Sequence, residues 1–261
     1  MIDKKTVLFM VAGIVMLFGG NSFAGSYQIW NTYGGTWADA DKTWTDDTLL
    51  CWAAASSNIL EYTRWGQVGG MTTTDDMFAY FKAHWNDQAG NPYYALDWWW
   101  DGTNDNQGHA GWAQENVEGG GGFYPTLNIG DYRRWDGGTS AALSTLDTWL
   151  HDGYASSLVI SGSFGHAITA WGFAYDPADA DYYTGLYVTD SDDHVNALQY
   201  YDLAYANSRW YLSGGSFGTG STNYISEVCG LEPNPVPAPG ALLLGMLGVS
   251  IAGLKFRRKH A

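Results

Sequence analysis

The stretch Asp46-Asp47-Thr48-Leu49-Leu50-Cys51-Trp52-Ala53-Ala54-Ala55-Ser56-Ser57-Asn58-Ile59-Leu60 decides how this chain is read. Asp46, Asp47 and Thr48 are all good N-cap residues, and an alanine-rich run of high helix propensity follows them. Trp52, Ala55 and Ile59 fall on one face at i, i+3 and i+7, so the spacing predicts a helix that buries that face. Cys51 then lies in or just before the first turn. There the unpaired backbone N–H groups and the helix dipole favour a thiolate over a thiol. A nucleophile needs that placement, whereas a disulfide does not.

A thiolate that does chemistry needs a base. Of the six histidines, His260 lies at the C-terminal end, His84, His109 and His151 stand in polar, loop-like settings, and His194 follows an acidic run. His166 differs. Leu158-Val159-Ile160 reads as a buried strand, Ser161 to Gly165 as a turn, and Ala167 to Phe173 as a second strand. His166 is thus expected at a strand start, between the small residues Gly165 and Ala167. A third strand, Gly185 to Thr189, runs directly into Asp190-Ser191-Asp192-Asp193. A carboxylate at Asp190 could accept the second imidazole N–H, fixing the tautomer and stabilising an imidazolium. The competing reading of Asp190 to Asp193 is an acidic turn that caps a hairpin.

The two ends read as addresses. Lys4 and Lys5, the apolar run Val7 to Phe18 and the small residues around Ala24 predict a secretory signal over 1–24. Export to an oxidising compartment keeps a Cys51–Cys229 disulfide open as the alternative use of the two cysteines. At the other end, Pro233-Asn234-Pro235-Val236-Pro237-Ala238-Pro239 forms a stiff linker into the uncharged segment Gly240 to Leu254 and the basic end Lys255 to His260. As a helix, Ala241 to Leu254 would rise about 21 Å against a hydrocarbon core of about 30 Å, so it engages a membrane but spans it poorly. This tail, 233–261, resembles the PEP-CTERM sorting signal of Gram-negative bacteria, with Ala238 where that motif has glutamate. The resemblance implies processing by an exosortase-type enzyme after signal peptidase, a transient membrane anchor, and a place on the cell surface or outside the cell.

One domain, 25–232, remains between the ends. Six of the 12 Lys and Arg lie in the two terminal segments but only one of the 27 acids does, so the domain carries 26 acids against 6 bases. That balance excludes a nucleic-acid partner, which requires clustered cations. It fits either a basic substrate or the plain solubility of an exported protein.

Three segments carry a further resemblance: Asp46 to Ala54, Gly165-His166-Ala167-Ile168-Thr169-Ala170-Trp171-Gly172, and Tyr187-Val188-Thr189-Asp190-Ser191-Asp192. Together they are similar to the immunoglobulin-degrading cysteine endopeptidases of the IdeS/Mac type, over about residues 36–203 without Gly66 to Gly153. The resemblance implies an α+β, papain-like fold in which the nucleophile helix packs on a twisted antiparallel sheet. It implies a cysteine-type endopeptidase acting on a protein or peptide substrate without a cofactor. Cys51 would be the nucleophile, His166 the base and Asp190 its orienting carboxylate, with Asp192 in support. The family also places a lysine upstream of the nucleophile to help hold the oxyanion, and Lys42 occupies that stretch, one residue closer to the cysteine. The antibody substrate does not carry over to a chain with this tail.

Two other signals are weaker. Asp97-Trp98-Trp99-Trp100-Asp101 could stack sugars or peptides, which supports a second reading of the chain as a non-catalytic matrix or glycan-binding protein; burial in the core is the competing use. Asp101 to Asn106 and Asp176 to Asp181 lack the spacing and terminal Glu of an EF-hand loop and read as solvated turns.

Overall fold

The computed structural model describes residues 25–103, 119–176, 178–219 and 222–235. The signal segment 1–24, His109 and all of the sorting tail beyond residue 235 lie outside the described residues. Among those described, no helix is long and apolar enough to cross a membrane.

Eight strands dominate: β1 (Gly25–Gln28), β2 (Arg133–Asp136), β3 (Ala155–Ser161), β4 (His166–Asp176), β5 (Asp179–Thr189), β6 (Gln199–Ala206), β7 (Arg209–Ser213) and β8 (Tyr224–Leu231). Five helices accompany them: α1 (Ile29–Tyr33), α2 (Cys51–Thr63), α3 (Thr74–His84), α4 (Pro92–Asp101) and α5 (Ala142–His151). All the pairings are antiparallel. The order β4-β3-β8-β7-β6-β5 returns to β4, so six strands close into a barrel, with β1 added beside β4 and β2 beside β8.

This closure corrects the expected fold. A papain-like α+β arrangement is not what the chain adopts, because its sheet closes on itself and strands outweigh helices. The physical reason lies in β4 and β5. They form a hairpin of two 11-residue strands whose register shifts between Ala170 and Gly172, again between Ala174 and Tyr175, and again between Tyr175 and Asp176. Each shift bends and twists the ladder, and a strongly twisted sheet of six strands closes readily. Gly172 serves the same crowded strand: a Cβ there would run into the Tyr27 carbonyl of β1.

Alternation along the strands feeds two cores. Leu158, Ile168, Leu186, Leu203, Leu212 and Val228, one from each barrel strand, share the interior cluster, into which α5 also buries Leu143, Leu146 and Leu150. Ala155, Ala167, Cys229 and Leu231 instead join a second cluster formed with α2, α3 and α4. That cluster is rich in indoles: Trp52, Trp65, Trp85, Trp98, Trp99 and Trp100 are all buried in it. The three tryptophans of the Asp97–Asp101 run are therefore core. Asn91 caps α4 by accepting from the Tyr93 N–H, Pro92 opens the helix, and Gly102 ends it at φ 72°.

Candidate active site

Cys51 is the first residue of α2, whose N-cap is Leu50 and carries no side-chain cap. The expected caps are used otherwise. Asp47, wholly buried, accepts from the Thr43 N–H (2.9 Å) and hydroxyl (2.8 Å) and pairs with Lys82 at 2.6 Å. These bonds hold the 43–47 turn that delivers the chain to the helix. Among the described residues nothing accepts from the Cys51 N–H, so it stays available at the helix start. The helix is buried on every side, not on one face. Its hydroxyls survive this by back-bonding one turn: Ser56 to the Trp52 carbonyl, Ser57 to Ala53 and Thr63 to Ile59, at 2.7–2.8 Å.

A polar strut fixes α2 against the barrel. Asn58 donates to Thr169 on β4 (3.0 Å) and to Thr189 on β5 (3.3 Å), and its carbonyl oxygen accepts from the Ala40 N–H (2.9 Å). Thr189 also accepts from the Trp171 indole and donates to the Ala38 carbonyl, both at 2.8 Å. The segment carrying Lys42 is stitched on as well, since the Lys42 N–H donates to the Ser191 carbonyl at 3.1 Å. Three stretches distant in sequence are thereby held at one rim of the barrel.

There His166, the first residue of β4, is 3% exposed. Its Nε2 lies 2.6 Å from Oδ1 of Asp190, which immediately follows β5 and is fully buried. Cys51 and His166 line the same cleft, and with Nε2 committed to Asp190, Nδ1 is the ring nitrogen left for the thiol. Asp192 Oδ2 stands 3.8 Å from Nδ1, and its Oδ1 pairs with the Lys42 ammonium at 2.5 Å. Lys42 also donates to the Thr48 carbonyl at 2.6 Å. The ammonium also lies 4.3 Å from the centroid of the Trp44 ring, at the wall of the cleft that Lys42, Cys51 and His166 line together.

Two partners of Asp190 escaped the sequence reading. Tyr201 on β6 and Ser216, in the turn after β7, donate to Oδ2 at 2.5 and 2.6 Å, while the Asp192 N–H donates to Oδ1 at 3.0 Å. A fully buried carboxylate is tolerable only with such a set. Burial opposes its charge, but the bonds from His166, Ser216 and Tyr201 prevail and hold the acid below its usual range. Burial likewise opposes protonation of His166, and the bond to Asp190 together with the nearness of Cys51 outweighs it, raising the imidazole above its ordinary value. The pair is poised to carry a proton on the ring. Nothing local in the sequence marks Tyr201 or Ser216, because the barrel closure brings them to Asp190.

Close by, Asp39 is buried with both carboxylate oxygens lacking hydrogen bonds. Burial, followed by the charges of Asp41, Asp193 and Asp190, pushes its carboxyl up to about 8.

Two of the other histidines stand apart: His84 ends α3 with Nδ1 on the Tyr80 carbonyl, and His151 ends α5 beside Asp147, whereas His194 stacks obliquely on Trp44, 5.6 Å between ring centroids. Both cysteines are free, and Cys229 is buried, its thiol pushed up to about 12 by loss of solvent. Among the described residues His166, Asp190 and Asp192 form the one acidic–histidine group compact enough for a metal ion. Their ligand atoms are already engaged: both Asp190 oxygens by three donors and the imidazole, and Asp192 Oδ1 by Lys42. The donors fit a hydrogen-bonded triad better than a metal centre.

No known family's sequence model matches the chain, and no curated protein matches it in sequence.

Proposed function

We propose that the protein is a cysteine-type peptidase that cleaves peptide bonds by acyl transfer to Cys51. The observation that carries this reading is the grouping of Cys51, His166 and Asp190: a thiol at an uncapped helix start, in one cleft with an imidazole whose Nε2 is held by a buried carboxylate. A nucleophile, a base and a group that orients the base make up the minimum for nucleophilic acyl transfer.

In the first half-reaction His166 takes the Cys51 proton at Nδ1 and the sulfur attacks the substrate carbonyl carbon. The oxyanion would be met by the Cys51 N–H and the positive charge of Lys42, and a positioned donor of this sort contributes roughly 3–4 kcal/mol. The C–N bond then breaks as His166 returns the proton to the leaving amine. In the second half-reaction His166 deprotonates a water, whose oxygen attacks the thioester. The C–S bond breaks, the acid departs and Cys51 recovers its proton. Asp190 holds the ring throughout, and Asp192 positions Lys42 and screens the imidazolium. Export through the 1–24 signal and surface display through the 233–261 tail belong to the same proposal, which would put the enzyme outside the cytoplasm of a Gram-negative bacterium. The binding-protein reading loses its main support, because Trp98, Trp99 and Trp100 are buried.

Alkylation by iodoacetamide tests the proposal. Cys51 is expected to react at least tenfold faster than Cys229, and His166→Ala to slow it. A peptide-library digest should show cleavage that Cys51→Ala abolishes. Equal labelling of the two thiols, or cleavage that survives Cys51→Ala, overturns the reading.

A further inference from the structure

The cleft that holds Cys51 and His166 has a volume of about 540 Å³, and it runs past Gly90 and Asn91 to Ser226 and Glu227 on β8. Gly90 is required there, since a Cβ would lie 2.6 Å from the Trp52 indole. Of the charged groups lining the cleft, Lys42 pairs with Asp192 and His166 pairs with Asp190. Glu227 has no ion pair among the described residues. Its Oε2 accepts from Asn91 Nδ2 (2.8 Å) and the Trp135 indole N–H (3.1 Å), which fixes the carboxylate at the wall of the cleft.

Asn91 and Glu227 also line a second hollow of about 240 Å³, completed by Tyr93, Tyr94 and Trp135. Tyr93 and Tyr94 meet edge-on at 5.3 Å, and Trp135 stands 6.5 Å from Tyr93 and is 53% exposed. One ring of this set already holds a cation: the buried Arg133 guanidinium lies 3.3 Å from the Tyr93 ring centroid and pairs with Asp97 at 2.7 Å. With one face of Tyr93 taken by Arg133, the exposed Trp135 indole and the Tyr94 ring beside a fixed carboxylate supply both attractions that select an organic cation, Coulombic and cation–π.

We infer that this hollow is a substrate subsite that takes the cationic side chain of a peptide, arginine or lysine. The inference rests on the peptidase reading for its place in the reaction. The sheet register sets the distance. Val159 on β3 faces Glu227 on β8, while the adjacent Ile160 faces His166 on β4. Two strand spacings of about 4.8 Å put the subsite roughly 10 Å from the catalytic strand. Extended peptide advances about 3.3 Å per residue, so the cationic residue sits about three residues from the bond that is cut.

The experiment uses the full chain and pairs of peptides that differ only in arginine against citrulline, its neutral isostere, at successive positions. Arginine is expected to raise kcat/KM at least tenfold over citrulline at one position about three residues from the cut. Glu227→Gln, which keeps the acceptor for Asn91 and Trp135, should bring that ratio toward one, and Trp135→Ala should lower it. Equal rates for the two peptides at every position, or a ratio that Glu227→Gln leaves intact, overturns the subsite. The same peptides titrated calorimetrically into Cys51→Ala separate the two proposals. Tighter binding of the arginine peptide that Glu227→Gln abolishes upholds the subsite even if the wild-type chain cleaves nothing, and equal binding removes it whatever the turnover.

Discussion

The two cores of this molecule are built from different materials. The barrel interior is largely aliphatic, each strand contributing side chains from alternate positions. The helical layer is packed with indoles, six of them buried around α2. Large flat rings suit a layer of short helices, where a few residues must fill irregular gaps, whereas a small barrel has regular spaces that branched side chains fill. The site lies on the seam between the two. The helical layer supplies Cys51, and the barrel supplies His166 and Asp190 with its supports Tyr201 and Ser216. Neither half holds all three residues, so the proposed chemistry would depend on how firmly the halves are joined.

The sharpest way to break the pairing is on the barrel side. Asp190→Asn should lower kcat/KM by about 10⁴-fold, since the ring loses both its tautomer and its counter-charge; a fall of less than tenfold would show that His166 does not rely on Asp190. Stability is the next largest effect. Trp99→Ala in the helical layer should cost about 3–5 kcal/mol and Leu158→Ala in the barrel about 2–5 kcal/mol. In urea, tryptophan fluorescence and far-ultraviolet dichroism are expected to give coincident transitions for both variants. Separated transitions would mean that the layer unfolds without the barrel.

A smaller effect is expected at the turn before the helix. Lys82→Met leaves the buried Asp47 with its Thr43 donors but no cation, and should cost about 1–3 kcal/mol by urea unfolding. The smallest concerns pH. Asp39 has a folded pKa above its ordinary 3.8, so the stability it contributes is complete below that value and lost as pH rises toward about 8. The melting temperature should fall across that window, and Asp39→Asn should flatten the decline. An unchanged pH profile would mean that Asp39 is ionised in the fold. The triad works the other way on its acid side: Asp190, depressed below 3.8, contributes above that value and loses its contribution on acidification. His166, raised above 6.5, contributes below that value and loses its share as pH climbs through its folded pKa.

What the sequence made legible follows the same division. A cysteine before an alanine-rich run, a histidine at a strand start and an aspartate just past the next strand are local patterns, and the structure has those three residues at a helix start, a strand start and a strand end. The N-cap was misplaced because Asp47 prefers its long-range partner Lys82 to the helix amides, a choice invisible to propensity. Closure of the sheet was missed for a comparable reason. It depends on β8 pairing with both β3 and β7, and on register shifts in β4 and β5, none of which leaves a periodic mark in a window of a few residues. Tyr201, Ser216 and Glu227 owe their positions to those pairings and were hidden with them.

The position of β8 in the ring has a consequence for the life history of the chain. Tyr224–Leu231 lies between β3 and β7, and the barrel cannot close without it, although it is the last of the described strands to leave the ribosome. Folding must therefore wait for nearly the whole domain and proceed through contacts of high sequence separation, the slow regime of high contact order. On the peptidase reading, Cys51 would meet its base only once β8 has closed the barrel that carries His166, so a nascent or truncated chain would hold an ordinary cysteine.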